Sequence, residues 1–140
     1  MSNIVKTVWK GDMTFESTNP GGMIVMDASK DIGGNDNGLR PKAMMLASLA
    51  GCSGIDIAML VKKMRVKLDT FDIDITGELT EEHPRYYDKV VVDYNFYGNE
   101  LDQTKIKRIV DLSVEKYCGV MEMFRRFAKV TVNIHYHEKE

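Results

Sequence analysis

The amino-acid sequence predicts an α+β domain with the element order βββ-α-ββ-α-β, and three observations lead there. Short runs that alternate apolar and polar residues lie on both sides of one long apolar stretch, Ala43 to Val61. A second stretch, from Asp102 to Met121, carries apolar residues at steps of three and four, as an amphipathic helix does. A last alternating run, Val130 to His137, follows it, so strands and helices are interleaved along the chain. No internal repeat, low-complexity tract or long linker divides the 140 residues, and a single domain over 1–140 is expected.

The first strands are Ile4 to Trp9, Met13 to Glu16 and Met23 to Met26. Between them, Gly11 with Asp12 and Asn19 through Gly22 are turn chemistry, which makes a three-stranded meander. Residues 29–41, SKDIGGNDNGLRP, form a loop rich in residues that tolerate positive φ, closed by a proline suited to the first position of a helix. The loop has neither the Gly-Lys-Ser/Thr ending of a phosphate loop nor the spaced acids of a calcium loop.

In the 19 residues from Ala43 to Val61, only Ser48, Ser53 and Asp56 are polar. A membrane span needs about 20 apolar residues. Asp56 inside the stretch, the glycines at 51 and 54, and the amphipathic strands on both sides favour a core helix instead. Such a helix needs cover over most of its circumference, which one sheet cannot supply. A second helix and a second subunit are expected against it, with Ala47, Ala50, Gly51 and Gly54 permitting close approach. After it, Phe71, Ile73 and Ile75 alternate with Asp72, Asp74 and Thr76 in a half-buried strand ending at Leu79, residues 81–85 turn the chain, and Val90, Val92, Tyr94 and Phe96 line one face of its partner. Asp102 is the N-cap of a second helix whose stripe is Ile106, Ile109, Val110, Ser113, Val114, Tyr117, Cys118 and Met121.

Composition narrows the function. Hydrophobic residues make up 44% of the chain, enough for a core without disulfide or metal staples. With 19 Lys and Arg against 21 Asp and Glu, and a pI near 5.9, the basic footprint that nucleic acid or an anionic membrane calls for is missing, so neither is expected as a partner. The N-terminal segment lacks the apolar core of a signal peptide, which points to the cytoplasm, where structural disulfides are rare. Cys52 and Cys118, 66 residues apart, fit no local zinc or CxxC pattern. Each falls on an apolar stripe, with Cys52 following Met45 and Leu49 and preceding Ile55 and Met59. They read either as small buried hydrophobes or as a reactive pair, one thiol attacking a peroxide and the other resolving the sulfenic acid.

Placed inside helices rather than at N-termini, the two thiols would need a cation to favour the thiolate. Arg40 and Lys42 are the nearest in sequence, but an unbroken helix would hold Lys42 about 15 Å from Cys52. Arg40 would reach a thiolate only by folding back over the helix or by reaching the partner subunit's cysteine. Asp56, one turn after Cys52, calls for a hydrogen-bonding partner. His135 and His137 share a strand face at metal-binding spacing without a third ligand, so no metal and no cofactor is expected. The ten methionines are read as adaptable packing, with ligand plasticity behind it.

The segments RPKAMMLASLAGCSGIDIAML around Cys52 and EKYCGVMEMF around Cys118 resemble those of the OsmC/Ohr superfamily, in particular its general OsmC-like branch. The resemblance covers essentially the whole chain. It implies an OsmC-like fold with a long buried central helix, an intertwined homodimer with sites at the subunit interface, and a thiol peroxidase reducing organic hydroperoxides or hydrogen peroxide in oxidative-stress defence, recycled by a dithiol. Cys52 would be the peroxidatic thiol and Cys118 the resolving thiol. Two positions depart from the family's pattern. Lys42 stands where classical members carry an acid after the proline, and Lys10 or Gly11 is all the chain offers where their activating arginine lies in the first β-turn. Arg40 is then the cation assigned to Cys52. The alternatives are a non-catalytic module that binds an apolar ligand or senses redox state, and a hotdog-like thioesterase, which lacks a suitably placed catalytic acid.

Overall fold

Gly21, at φ 91°, closes the tightest turn of the N-terminal region, a conformation that costs glycine little. In the computed structural model, which describes residues 1–139, it joins two of three antiparallel strands. These are β1 (Lys6–Trp9), β2 (Phe15–Asn19) and β3 (Gly22–Met26), with Asn19 paired to Gly22 across the turn. The expected meander is present with shifted ends. Met13 lies in the turn rather than in β2, because the Lys10 N–H bonds to the Thr14 carbonyl and Asp12 takes φ 48°.

Asp27, which follows β3, is 1% exposed and organises the loop beyond it. Its carboxylate accepts the backbone N–H groups of Ala28 (2.8 Å), Asn37 (3.1 Å) and Asn35 (3.2 Å). Burial acts to raise its pKa, yet these three bonds and one from Thr14 together hold it below the usual value. The loop folds so tightly that a Cβ at Gly34 would collide with the Ala28 carbonyl.

The chain forms two compact units, Met1–Met45 and a second that begins at Leu46. Helix α1 (Pro41–Lys63) crosses that boundary, opening on Pro41 as the sequence predicts. In the second unit, β4 (Thr70–Leu79), β5 (Tyr87–Gly98) and β6 (Lys129–Glu138) form a sheet with β5 in the centre, antiparallel to β4 and parallel to β6. The central position explains β5. Val90, Val92, Tyr94 and Phe96 are buried, while the neighbouring Phe71, Ile73 and Ile75 pack half-buried beside them.

Between β5 and β6 runs α2 (Gln103–Leu112), capped by Asp102, whose carboxylate accepts the Lys105 N–H at 3.1 Å. Ile106, Ile109 and Val110 are fully buried. The continuous second helix expected through Met121 is not what forms. Residues Ser113–Tyr117 make a π-turn, Cys118 leaves the helical conformation at φ −78° and ψ 102°, and α3 (Gly119–Arg125) starts afresh. The π-turn adds a residue to the local repeat, so the three-and-four stripe slips. Tyr117, placed on the buried stripe by spacing, is 50% exposed, while Met121 and Phe124 return to the core.

Candidate functional site

Leu49, Ser53 and Ile57, four residues apart, are the buried side chains of α1. This corrects the stripe read from the sequence. Met45, Ile55 and Met59 lie on exposed faces and Cys52 on the half-buried flank. A helix apolar nearly all round gives periodicity no polar face against which to choose, and hydrogen bonding decides instead. Ser53 Oγ lies 2.7 Å from the Tyr94 hydroxyl and 2.8 Å from Ser113 Oγ, all three buried. Among the described residues α1 is the one helix long and apolar enough to cross a membrane; Leu49 and Ile57 of its buried stripe belong to the second unit's core.

Asp56, the acid that called for a partner, has one. Its Oδ2 accepts from Ser113 Oγ at 3.1 Å. Ser113 also begins the π-turn, and its carbonyl accepts the Cys118 N–H at 2.8 Å, a bond spanning five residues. Cys118 is therefore not inside a helix, as the stripe implied, but at the N-cap of α3, where its Sγ accepts the Met121 N–H at 3.3 Å. Ser113 and Tyr94 were missed as site residues. The available signal was a serine among aliphatic residues on the second helix's stripe.

Cys52 and Cys118 are both free, and Cys52 is near enough to Cys118 to act on its ionisation. Burial pushes the Cys118 thiol up from 9.0 to about 11. The Met121 N–H opposes this, while Cys52 and the Asp56 charge add to it. Burial likewise raises the Tyr94 hydroxyl. A cleft of about 720 Å³ opens one turn beyond Cys52, bounded by Asp56, Met59, Leu60 and Tyr117 and by the cations Lys62, Lys63 and Arg65.

The remaining candidates each have partners within the chain. Arg40 donates to the Gly38 carbonyl at 2.8 Å and the Asp27 carbonyl at 3.4 Å, and it pairs with Asp36, which ties it into its own loop. Lys10 lies 3.8 Å from Glu16. His135 Nε2 lies 2.8 Å from Asp93 Oδ1, and His137 Nε2 3.1 Å from Asn95 Oδ1 while its ring stacks on Tyr97. Among the described residues no group of three His, Cys, Asp or Glu side chains is arranged to hold a metal ion.

The family profile described as OsmC-like protein matches residues 33–133. The chain belongs to the OsmC-like family. Protein YhfA of Escherichia coli (strain K12) is 31% identical over 124 residues, covering 88% of this chain and 90% of YhfA. Among solved structures, a hypothetical protein of Aquifex aeolicus VF5 superposes with a TM-score of 0.86 at 26% identity, covering 100% of this chain and 99% of that one. The organic hydroperoxide resistance protein OhrB of Bacillus subtilis shares the fold, with a TM-score of 0.66 at 17% identity over 96% of this chain and 98% of its own. The OsmC-like architecture expected from the cysteine segments is thus the one observed.

Proposed function

We propose that this OsmC-like protein is a thiol peroxidase for organic hydroperoxides or hydrogen peroxide, with Cys52 peroxidatic and Cys118 resolving. The observation that carries the reading is the proximity of two free thiols from separate elements, the half-buried Cys52 and the 3% exposed Cys118, whose ionisation Cys52 influences. The Cys52 thiol gives up its proton and the thiolate attacks the distal peroxide oxygen. An S–O bond forms as the O–O bond breaks, and the leaving oxygen takes up that proton to depart as the alcohol, or as water from hydrogen peroxide. Cys118 then attacks the Cys52 sulfenic acid, the S–S bond forms as the S–O bond breaks, and water leaves carrying the Cys118 proton. A cytoplasmic dithiol returns two electrons and two protons. Placing the accessible thiol first and the buried one second suits this order, and the cleft beside Asp56 and Tyr117 offers room for an organic group.

The working form in this reading is a homodimer. Met45, Ile55 and Met59 on α1, with Val8, Trp9 and Met23 of the meander, are large apolar side chains open to solvent in the single chain. A second copy is the occupant that would cover them.

Stopped-flow loss of reduced thiol with cumene hydroperoxide tests the assignment. The fast phase disappears in Cys52→Ser. A Cys52→Ser protein that reacts as fast as the parent overturns it.

Two observations favour a second reading, a redox-sensing module without rapid turnover. Arg40 is held by its own loop, and Asp56 and Cys52 both disfavour ionisation of Cys118. Formation of a single disulfide without multiple turnover in the presence of a dithiol distinguishes it.

A further inference from the structure

The buried hydroxyls around the thiol pair form a chain in which one direction supplies a proton to all three side-chain contacts, with the Ser53 carbonyl a further acceptor 3.4 Å from Ser113 Oγ. Tyr94, Ser53 and Ser113 each carry one hydroxyl proton, and Asp56 ends the chain with a carboxylate that can only accept. Ser113 therefore donates to Asp56 Oδ2 at 3.1 Å. Its oxygen accepts from Ser53 across 2.8 Å, and Ser53 accepts from Tyr94 across 2.7 Å. Three protons make three bonds, and among the described residues no buried side-chain polar atom is left without a partner. Because the last acceptor is charged, each bond polarises the next.

Ser113 stands where this chain meets the backbone of the thiol pair. Its carbonyl holds the Cys118 N–H at 2.8 Å through the π-turn. Its hydroxyl grips α1 at Ser53, the residue next to Cys52, and at Asp56, one turn beyond. An alanine here would keep the backbone bond and release the grip on α1. The grip falls at the start of the π-turn. A regular α-turn would continue α2 past Ser113, whereas here the chain widens at the residue whose side chain crosses to α1.

We propose that Ser113 is a positioning residue of the thiol pair, setting the approach of Cys118 to Cys52 by joining the π-turn to α1 through the Tyr94–Ser53–Ser113–Asp56 chain. This rests on the reading of Cys52 and Cys118 as a pair that forms a disulfide.

The test is the disulfide equilibrium in glutathione buffers, in which glutathione disulfide accepts two electrons and two protons from the thiols and is released as two glutathione molecules. The fraction oxidised is read by mass after acid quenching and alkylation. Ser113→Ala is expected to lower the equilibrium constant for disulfide formation about tenfold, the size set by losing a hydrogen bond to a charged group. Ser113→Thr, which keeps the hydroxyl, restores most of it. Val110→Ala, a core truncation in α2 without a hydroxyl, lowers the unfolding midpoint but leaves the constant within about twofold. Should Ser113→Ala not fold, Ser53→Ala cuts the same grip from the α1 side and lowers the constant at least about threefold.

An unchanged constant in the alanine variants overturns the proposal, as does an equal shift in Val110→Ala, which would mean general loosening. No disulfide in the parent at any glutathione ratio also overturns it. The peroxidase reading is decided separately by the parent's reaction with cumene hydroperoxide. The glutathione equilibrium uses no peroxide, so either can fail alone.

Discussion

The two segments that carry the thiols are built on opposite plans. Helix α1 is unbroken for 23 residues, apolar on nearly every face, and buries only Leu49, Ser53 and Ile57. The segment from α2 through α3 is strongly amphipathic and buries a full stripe, yet it is broken in the middle by a π-turn and an extended residue. Uniform hydrophobicity left the sequence unable to say which face of α1 turns inward. Clear amphipathicity told α2's face correctly but hid the break. In both cases the discrepancy lies at the same buried serines, where Ser53 selects the face of α1 and Ser113 sits at the start of the widened turn.

The largest expected effects come from truncating the core on each side of this contrast. Phe124→Ala in α3 should cost about 3–5 kcal/mol in urea unfolding, and Leu49→Ala in α1 about 2–5 kcal/mol. Met123→Ala, at an exposed position beside Phe124, should stay within about 0.5 kcal/mol. A small loss for Leu49→Ala would break the comparison, because it would mean that α1's buried stripe is not where Leu49, Ser53 and Ile57 place it.

The open face of α1 is next. If a second copy covers it, the parent sediments at twice its 15.9 kDa, and Ile55→Asp with Met59→Asp sediments at the single-chain mass with its far-ultraviolet dichroism intact. Monomeric parent protein at micromolar concentration would remove the dimer proposal.

Cys118 offers a test of its surroundings. Its thiol stands near 11 instead of 9.0 mainly through burial, with Cys52 and Asp56 adding to the rise. Cys52→Ala should therefore bring the midpoint of Cys118 alkylation against pH below about 11, and Asp56→Asn should do the same by removing a negative charge. The linked stability follows in sign. The unfolded chain gives up the Cys118 proton near 9.0 while the folded chain keeps it to about 11, so the contribution is full below 9.0 and is lost as pH rises through 11. A folding stability that rises as pH increases from 9.0 in the Cys52→Ala background, where Cys118 is the remaining cysteine, would contradict the burial of Cys118.

The smallest effect belongs to the exposed sheet face. The hydrogen bond from His135, with another from Asn133, holds the Asp93 carboxyl below its usual value. The stabilisation is present above the ordinary carboxylate range and fades as pH falls through the depressed value. Being largely solvated, the pair should be worth about 0.5 kcal/mol or less, read as the loss in His135→Ala at neutral pH.

Much of the fold was legible. The alternation of Phe71, Ile73 and Ile75 and of Val90, Val92, Tyr94 and Phe96 names the faces that β4 and β5 present, because a period of two is rigidly tied to strand geometry. Asp102 marks the start of α2 through a local side-chain to backbone bond, and Pro41 marks the start of α1 through its fixed φ. The site was legible only in its thiols. Nothing local in the sequence shows that Ser113 reaches across 60 residues to Ser53, or that Arg40 pairs with Asp36 and donates to the Gly38 carbonyl.

The sequence by itself determined the element order, the strand faces and the two cysteines set among apolar residues, since periodicity, caps and turn residues act over a few neighbours. Only the tertiary structure decided which stripe of α1 is buried, where the second helix breaks, that Cys118 sits at a helix start with its thiol raised, and that Tyr94, Ser53, Ser113 and Asp56 form one chain. Those outcomes depend on satisfying buried hydroxyls contributed by three distant segments, and the partner of a buried polar group is fixed by packing rather than by its neighbours in sequence.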